Sequence, residues 1–221
     1  FAYGSSSHEI ANWLEFQNVD YLAVAYADEG VILRQHGIQL PIMVMNPDPR
    51  SFELLHQYNL EPELYSETIF KDYASYTRNH KSLLKVHLKL DTGMHRLGFE
   101  AHEIEQLQLL LRHNPQLKVA SIFSHLAASD EAMHNGFSAQ QAMSFKKLAE
   151  SLVDFLGYKP ILHLLNSPGI SRFPDYQFDM VRLGIGLYGV DPTGIYSGQL
   201  QSVSTLKTVI SQVKHIKKGE T

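Results

Sequence analysis

Short runs of apolar and β-branched residues alternate with segments of helical periodicity along most of this 221-residue sequence. Seven runs are predicted to be strands, and helical segments separate nearly all of them. The predicted strands are residues 21–27, 41–46, 62–66, 83–91, 117–126, 161–167 and 179–189. Strands joined by helices are typically parallel and connected by right-handed crossovers. The sequence therefore predicts an α/β fold built on a parallel sheet.

The number of predicted strands is one short of a closed (β/α)8 barrel of the TIM type, which typically takes about 250 residues. The remaining strand would precede Phe1, and the opening residues FAYG would form its C-terminal tip. We therefore predict that residues 1–190 form such a barrel without most of its first strand. An open, doubly wound sheet is the alternative architecture.

The chain changes character after Gly189. Residues 191–201 combine Asp, Pro, Gly and Ser in patterns typical of turns, and we predict a linker there. Residues 202–221 are rich in β-branched side chains and are predicted to be extended, with no helix after them. We expect them to begin a C-terminal all-β domain, so that the chain is cut at both ends.

Composition argues against several classes of protein. The formal net charge is −4 with the 12 histidines neutral, whereas nucleic-acid binders usually carry a basic surface. The absence of cysteine rules out disulfides and thiolate chemistry, and no spacing of paired ligands predicts a metal site. No apolar run reaches the roughly 18 residues of a membrane span. A soluble, cytoplasmic protein is predicted, with neither a nucleic acid nor a membrane as its partner.

Polar side chains collect where the predicted strands end. In a parallel barrel the chemistry lies at the C-terminal ends of the strands. In the strand 83–91, His87, Lys89 and Asp91 share one face because side chains alternate across a strand. We therefore predict a site at these ends, with further polar candidates on the other strands. These candidates are Tyr3, His125, Asn166, Ser167 and Arg182.

Two of the candidate site residues, Arg96 and His125, could instead have a purely structural role. Arg96 follows its strand within a turn and could be an ordinary surface side chain, and His125 could be a histidine of the core. Ser124 precedes His125 on a strand, so their side chains point to opposite faces and cannot pair as nucleophile and base. Residues 184–189 match GxGxxG, but the acidic residue about 20 positions later that a dinucleotide site requires is missing. Backbone binding of a phosphate fits this motif better.

Four segments, in this order and spacing, closely resemble the alanine racemase family: LKLDTGMHRLGF, HLAASD, LNSPG and FDMVRLGIGLYG. The resemblance implies a barrel that binds pyridoxal 5'-phosphate (PLP), followed by a β domain. It implies interconversion of L- and D-alanine by two-base proton transfer, which supplies D-alanine for peptidoglycan, and a homodimer with sites at the subunit interface. An amino-acid decarboxylase of the same barrel type, a broad-specificity racemase and a non-catalytic PLP-binding barrel are the alternatives.

The opening FAYG gains a meaning from this resemblance. The family's lysine motif has the form Lys-Ala-x-Ala-Tyr-Gly, so the lysine that holds PLP would stand two residues before Phe1. The second base, a tyrosine, would come from the β domain of the partner subunit. The 221 residues alone are then expected not to racemise alanine, unlike their full-length parent. The serines at 5–7 depart from the common motif and resemble racemases fused behind a UDP-N-acetylmuramoyl-tripeptide–D-alanyl-D-alanine ligase.

The resemblance also assigns roles to individual residues around the cofactor. Tyr3, Ser167, Gly184 and Ile185 would bind the PLP phosphate, the last two through their backbone N–H groups. Asn166 would lie beside Ser167 at the cofactor.

The catalytic roles implied by the resemblance fall on four residues. Arg182 would donate a hydrogen bond to the pyridine nitrogen, and His125 would support it beside the ring. Arg96 would lie near the phenolic oxygen of PLP and bind the substrate carboxylate. Lys89 matches a lysine that is carbamylated in some members of the family and positions the arginine corresponding to Arg96.

Overall fold

The computed structural model describes residues 2–80, 82–205 and 207–220. Its frame is one six-stranded sheet in which the strands follow each other in sequence order and every neighbouring pair is parallel. The strands are β1 (Leu22–Val24), β2 (Ile42–Val44), β3 (Glu61–Leu64), β4 (Leu84–Lys89), β5 (Leu117–Phe123) and β6 (Ile161–His163). A doubly wound sheet reverses its strand order at a switch point, and this sheet does not. The sheet curls into part of a TIM-like barrel, as predicted.

The described residues form seven α-helices, of which the first precedes β1 and the others connect or follow the strands. None of these helices is long and apolar enough to cross a bilayer. The helices are α1 (Ser7–Phe16), α2 (Ala27–Gln35), α3 (Phe52–Gln57), α4 (Glu67–Thr77), α5 (Ile104–Arg112), α6 (Asn135–Leu156) and α7 (Ser167–Arg172).

The two faces of the sheet differ in chemistry. On β4, Val86 and Leu88 point outward and belong to the hydrophobic core beneath the helices, whereas His87 and Lys89 are buried on the inner face. The register between β4 and β5 shifts after Val86, which leaves Ala120 without a partner on β4. This β-bulge brings Ser121 opposite His87. The inside of the barrel is therefore lined by polar groups rather than by the usual layers of branched aliphatic side chains.

The prediction of a seventh strand at 179–189 is wrong. Met180 makes one parallel bridge with His163, and the chain then turns into a 3-10 helix at Ile185–Tyr188. The turn begins at Gly184 (φ −110°, ψ −104°), four residues after that bridge.

The two ends of the chain also differ from the extended structure that the sequence suggested. Ala2–Gly4 form a 3-10 turn in which Tyr3 has left-handed dihedrals (φ 54°, ψ 27°), while Phe1 lies outside the described residues. The stretches 202–205 and 207–220 contain no strand and are exposed, and Leu206 and Thr221 lie outside the described residues. The C-terminal β domain and the linker at 191–201 therefore stay predictions.

Candidate active site

A cleft of about 970 Å³ runs along the β1 edge of the sheet and reaches the residues that follow β5 and β6, and its volume is within the range typical of small-molecule sites. It brings together seven of the residues predicted from the sequence. These are Tyr3, His125, Asn166, Ser167, Arg182, Gly184 and Ile185. The prediction that polar side chains at separate strand ends meet in space is thus met for most of the set.

Arg182 is the most firmly held side chain of the cleft. Its Nη2 donates to the carbonyl oxygens of Ser124 (2.7 Å) and Leu164 (3.0 Å). Its Nη1 lies 2.8 Å from Nδ1 of His163, which accepts from it. Burial lowers the pKa of Arg182 to about 10, so the guanidinium is still protonated at neutral pH. The cleft therefore contains a fixed cation whose orientation is set by two strand ends and a buried imidazole.

His125 lies next to this cation and is uncharged. Its Nδ1 accepts a hydrogen bond from Nη2 of Arg182 over 3.2 Å. Burial lowers the pKa of His125 to about 3, and the positive charge of Arg182 adds to the effect. His125 is therefore a neutral acceptor for Arg182 rather than a second cation in the cleft.

A small polar cradle lies in the same cleft, around the first turn of α7. Oγ of Ser167 accepts the N–H groups of Gly184 (2.9 Å) and Gly186 (3.1 Å). A Cβ atom added to Gly184 would lie 2.9 Å from the hydroxyl of Tyr3, so a larger residue here would have to displace the Tyr3 side chain. Two backbone N–H groups thus point at one place, where an anion could take over the hydrogen bonds that the oxygen of Ser167 accepts.

Asn166 lines the cleft and also shapes it. Its Oδ1 accepts from the backbone N–H of Gly169 (3.1 Å) and so caps the N-terminus of α7, where Pro168 occupies the first turn. The same oxygen accepts from Oγ of Ser129 over 2.7 Å. Ser129 was missed as a site residue, although the HLAASD segment that contains it had been singled out. The cap fixes Ser167 at the start of the helix.

Lys89 and Arg96 lie apart from the lining of the cleft. Lys89 is buried on β4, with Nζ 4.4 Å from the ring centroid of Phe123. Arg96 is exposed in the loop after β4 and makes no hydrogen bond or ion pair among the residues that the structure describes. Asp91 organises this loop, since its Oδ1 accepts the N–H groups of Gly93 (2.8 Å) and Met94 (3.0 Å).

Comparison with known proteins identifies the family of the chain. The family model described as alanine racemase, N-terminal domain, matches residues 1–192. The chain belongs to the alanine racemase family. Alanine racemase 1 of Bacillus subtilis (strain 168) is 33% identical over 225 residues, covering 99% of this chain and 56% of the relative. The alanine racemase of Carboxydothermus hydrogenoformans is 34% identical, covering 100% of this chain and 60% of the relative.

Solved structures of alanine racemases share the fold. That of Clostridium difficile 630 has a TM-score of 0.83 at 32% identity, covering 91% of this chain and 53% of that chain. That of Bartonella henselae, which contains covalently bound pyridoxal phosphate, has a TM-score of 0.80 at 28% identity and covers 91% and 57%. This alanine racemase family chain thus spans between 53% and 60% of the length of these four proteins.

One acidic residue near the cleft of this family member was missed in the sequence. Glu63 is buried on the inner face of β3, opposite His87, and neither carboxylate oxygen has a hydrogen-bond partner among the described residues. Burial raises its pKa to about 7, and the nearby cations Lys89 and Arg182 oppose this shift. Burial lowers the pKa of Lys89 to about 8, and Glu63 opposes that shift in turn. The two glutamates at alternate positions of EPEL (61–64) are the sequence feature that could have predicted it.

Replacing Glu63 with glutamine is expected to lower the pKa of Lys89 further, because the largest interaction that favours its ammonium form is removed. A 13C NMR titration of the reductively methylated protein measures this pKa. The exposed Glu67→Gln on α4 is the control and should leave the titration of Lys89 in place. An unchanged pKa in Glu63→Gln would show that Glu63 does not balance the charge of Lys89.

Proposed function

We propose that the protein is a PLP-dependent alanine racemase and that this chain contributes its cofactor-binding half. The proposal rests on one observation: the Ser167–Gly184 cradle and the fixed guanidinium of Arg182 line the same cleft. A phosphorylated pyridine needs an anion site at one end and a hydrogen-bond donor at the other, and both are present.

The residues of the cleft fit PLP in kind. The hydroxyls of Tyr3 and Ser167 and the N–H groups of the 184–186 turn would hold the phosphate, and Gly184 leaves room for it. Arg182 would face the ring nitrogen. When bound, PLP supplies the electron sink that weakens the Cα–H bond of the amino acid.

Arg182 sets the chemical character of that end of the cleft. A guanidinium donates hydrogen bonds but does not give up its proton in proteins. Arg182 would therefore hold a ring nitrogen without protonating it, and His125 keeps its own ring neutral beside it. Neither residue would then protonate the pyridine nitrogen of PLP. This favours racemisation over reactions that need a stronger electron sink.

Substrate binding and proton transfer involve further groups. Arg96 offers a planar fork of donors suited to a carboxylate, and its loop leads away from the inner strand β4. Carbamylation of Lys89 would turn this cation into an anion able to hold Arg96. The two proton transfers at Cα are proposed, by family resemblance, for a lysine and for a tyrosine of a partner subunit.

We further propose a cytoplasmic homodimer and a C-terminal β domain that includes residues 202–221. Support comes from family membership and from the apolar side chains that this segment leaves uncovered. Val203, Val209, Ile210, Val213 and Ile216 are between 69% and 89% exposed. Their burial against further strands or a second subunit would remove this apolar surface from water. Light scattering of the protein expressed from its complete coding sequence gives the oligomeric state.

The proposed activity is tested with the protein expressed from its complete coding sequence and loaded with PLP, by following D-alanine formation from L-alanine. Ser167→Ala is expected to weaken the apparent affinity for PLP about 10- to 100-fold, since one hydrogen bond to a charged group contributes about 1.5–3 kcal/mol. Absorbance titration of the apoenzyme measures this affinity. Ser151→Ala on the outer helix α6 is the matched control. No D-alanine from the wild type would refute the activity, and unchanged affinity in Ser167→Ala would refute the cradle.

A further inference from the structure

A continuous line of buried polar side chains runs through the barrel from the cleft. Nη1 of Arg182 lies 2.8 Å from Nδ1 of His163, and Nε2 of His163 lies 2.9 Å from Oγ of Ser121. The same Oγ lies 2.7 Å from Nδ1 of His87, and Nε2 of His87 lies 3.0 Å from Oε2 of Glu61. Four consecutive strands, β3 to β6, contribute one member each.

The donors and acceptors in this line can be arranged in only one direction. Arg182 has no acceptor, so Nδ1 of His163 must accept and its proton must be on Nε2. Nε2–H of His163 then donates to Ser121, whose own hydroxyl is free to donate to Nδ1 of His87. That leaves the proton of His87 on Nε2, where it donates to Glu61. The line must end on an acceptor, and the carboxylate of Glu61 supplies one that cannot also donate.

Glu61 is a charged end group. Burial raises its pKa, but the hydrogen bonds from His87 and Lys85 outweigh burial, so the pKa lies below its usual value. Nζ of Lys85 lies 3.2 Å from Oε1, and the hydroxyl of Tyr21 donates to Oε2 over 3.1 Å. Burial lowers the pKa of His87 below its usual value, so this imidazole is neutral at neutral pH. His163 is neutral for the same reason, its pKa lying well below the usual value.

We propose that Glu61 is a positioning residue that fixes the order of the hydrogen bonds from the end opposite Arg182, and thereby keeps Nδ1 of His163 free to accept from Arg182 in the cleft. With glutamine at 61, the side-chain amide can present to Nε2 of His87 either its oxygen, which keeps this order, or its NH2 group, which reverses every later hydrogen bond. Nδ1–H of His163 would then face the N–H of Arg182, and the guanidinium would have to move. A glutamate prevents this reversal because it cannot donate. The proposal rests on the proposed function only in taking Arg182 to face a bound ligand.

The tautomers are read by 15N NMR of imidazole-labelled protein expressed from its complete coding sequence. In the wild type, His87 and His163 should both show a protonated Nε2 and an unprotonated Nδ1. Glu61→Gln should move part or all of the His163 population to the opposite tautomer, and Glu61→Asp should restore the wild-type form. Glu63→Gln on the same strand removes a buried carboxylate that bonds neither histidine, and should leave the tautomer of His163 as it is.

A second variant keeps the test decisive if Glu61→Gln folds poorly. Ser121→Ala breaks the line in its middle, so His87 should keep its tautomer beside Glu61 while His163 loses its Nε2 partner and its 15N signals shift. Ser138→Ala removes a buried hydroxyl that makes no hydrogen bond among the described residues, and is the matched control. Unchanged His163 signals in both Glu61→Gln and Ser121→Ala would overturn the proposal. Because this readout is independent of turnover, it separates failure of the proposal from absence of racemase activity.

Discussion

Arg182→Ala is expected to lower the free energy of unfolding by about 3–5 kcal/mol, the range for breaking a buried charged network. The side chain satisfies the carbonyl oxygens of Ser124 and Leu164 and the ring of His163, and each would be left without its donor. An unpaired buried acceptor costs about 1–3 kcal/mol. Urea denaturation of the apoprotein, followed by circular dichroism, measures the change.

Two companion variants show whether this loss comes from the hydrogen-bonded fork. Arg182→Lys keeps the charge but loses the planar donors, and should fall between the wild type and alanine. Arg50→Ala removes an arginine whose side chain is 91% exposed, and should change the free energy of unfolding by less than about 0.5 kcal/mol. A loss below about 1 kcal/mol in Arg182→Ala would mean that the strand ends do not depend on this residue.

Gly98→Ala is expected to destabilise the protein by about 3 kcal/mol and to displace the loop that carries Arg96. Gly98 has φ +128°, and an added Cβ would lie 2.5 Å from the backbone N of Asp91 and 2.6 Å from the carbonyl C of Leu90. These atoms cannot yield, because Asp91 N donates to Phe99 O over 2.9 Å beside the buried end of β4.

Thermal or urea unfolding measures this loss of stability. Gly136→Ala is the control, for which the opposite effect is expected. Gly136 lies in the first turn of α6, and an added Cβ would meet no atom within 4 Å. Alanine there should stabilise the helix by up to about 1 kcal/mol. Equal effects of the two substitutions would show that the backbone around Gly98 is free to adjust.

The periodicity of the sequence predicts the barrel well because parallel strands and their helices are local patterns that repeat. It fails at 179–189, where apolar residues alternate as in a strand but the chain turns around Ser167 instead. It also fails to show the helix α7, which is only six residues long and depends on the cap by Asn166. Short elements whose ends are set by tertiary hydrogen bonds leave little periodic signal.

Some residues of the candidate site could likewise be predicted from the sequence, and others could not. Residues at strand ends, such as His125 and Arg182, could be predicted because the barrel gives those positions a common location. Glu61 and Ser121 could not, since an acidic or hydroxyl side chain in a strand is normally assigned to the solvent face. The bulge at Ala120 adds to the difficulty, because simple alternation from the start of β5 puts Ser121 on the wrong face.

The sequential strand order has a practical consequence for handling the protein. Within the described residues, β1 pairs only with β2, and β6 pairs with β5 and with the single bridge at Met180. The outer edge of β1 therefore keeps backbone N–H and C=O groups that another extended segment could bind, whereas those of Leu162 on β6 are already bonded to Asp179 and Met180. A preparation that leaves the β1 edge uncovered is expected to self-associate by strand addition, and a peptide that pairs with β1 should suppress that association while closing the wall of the cleft.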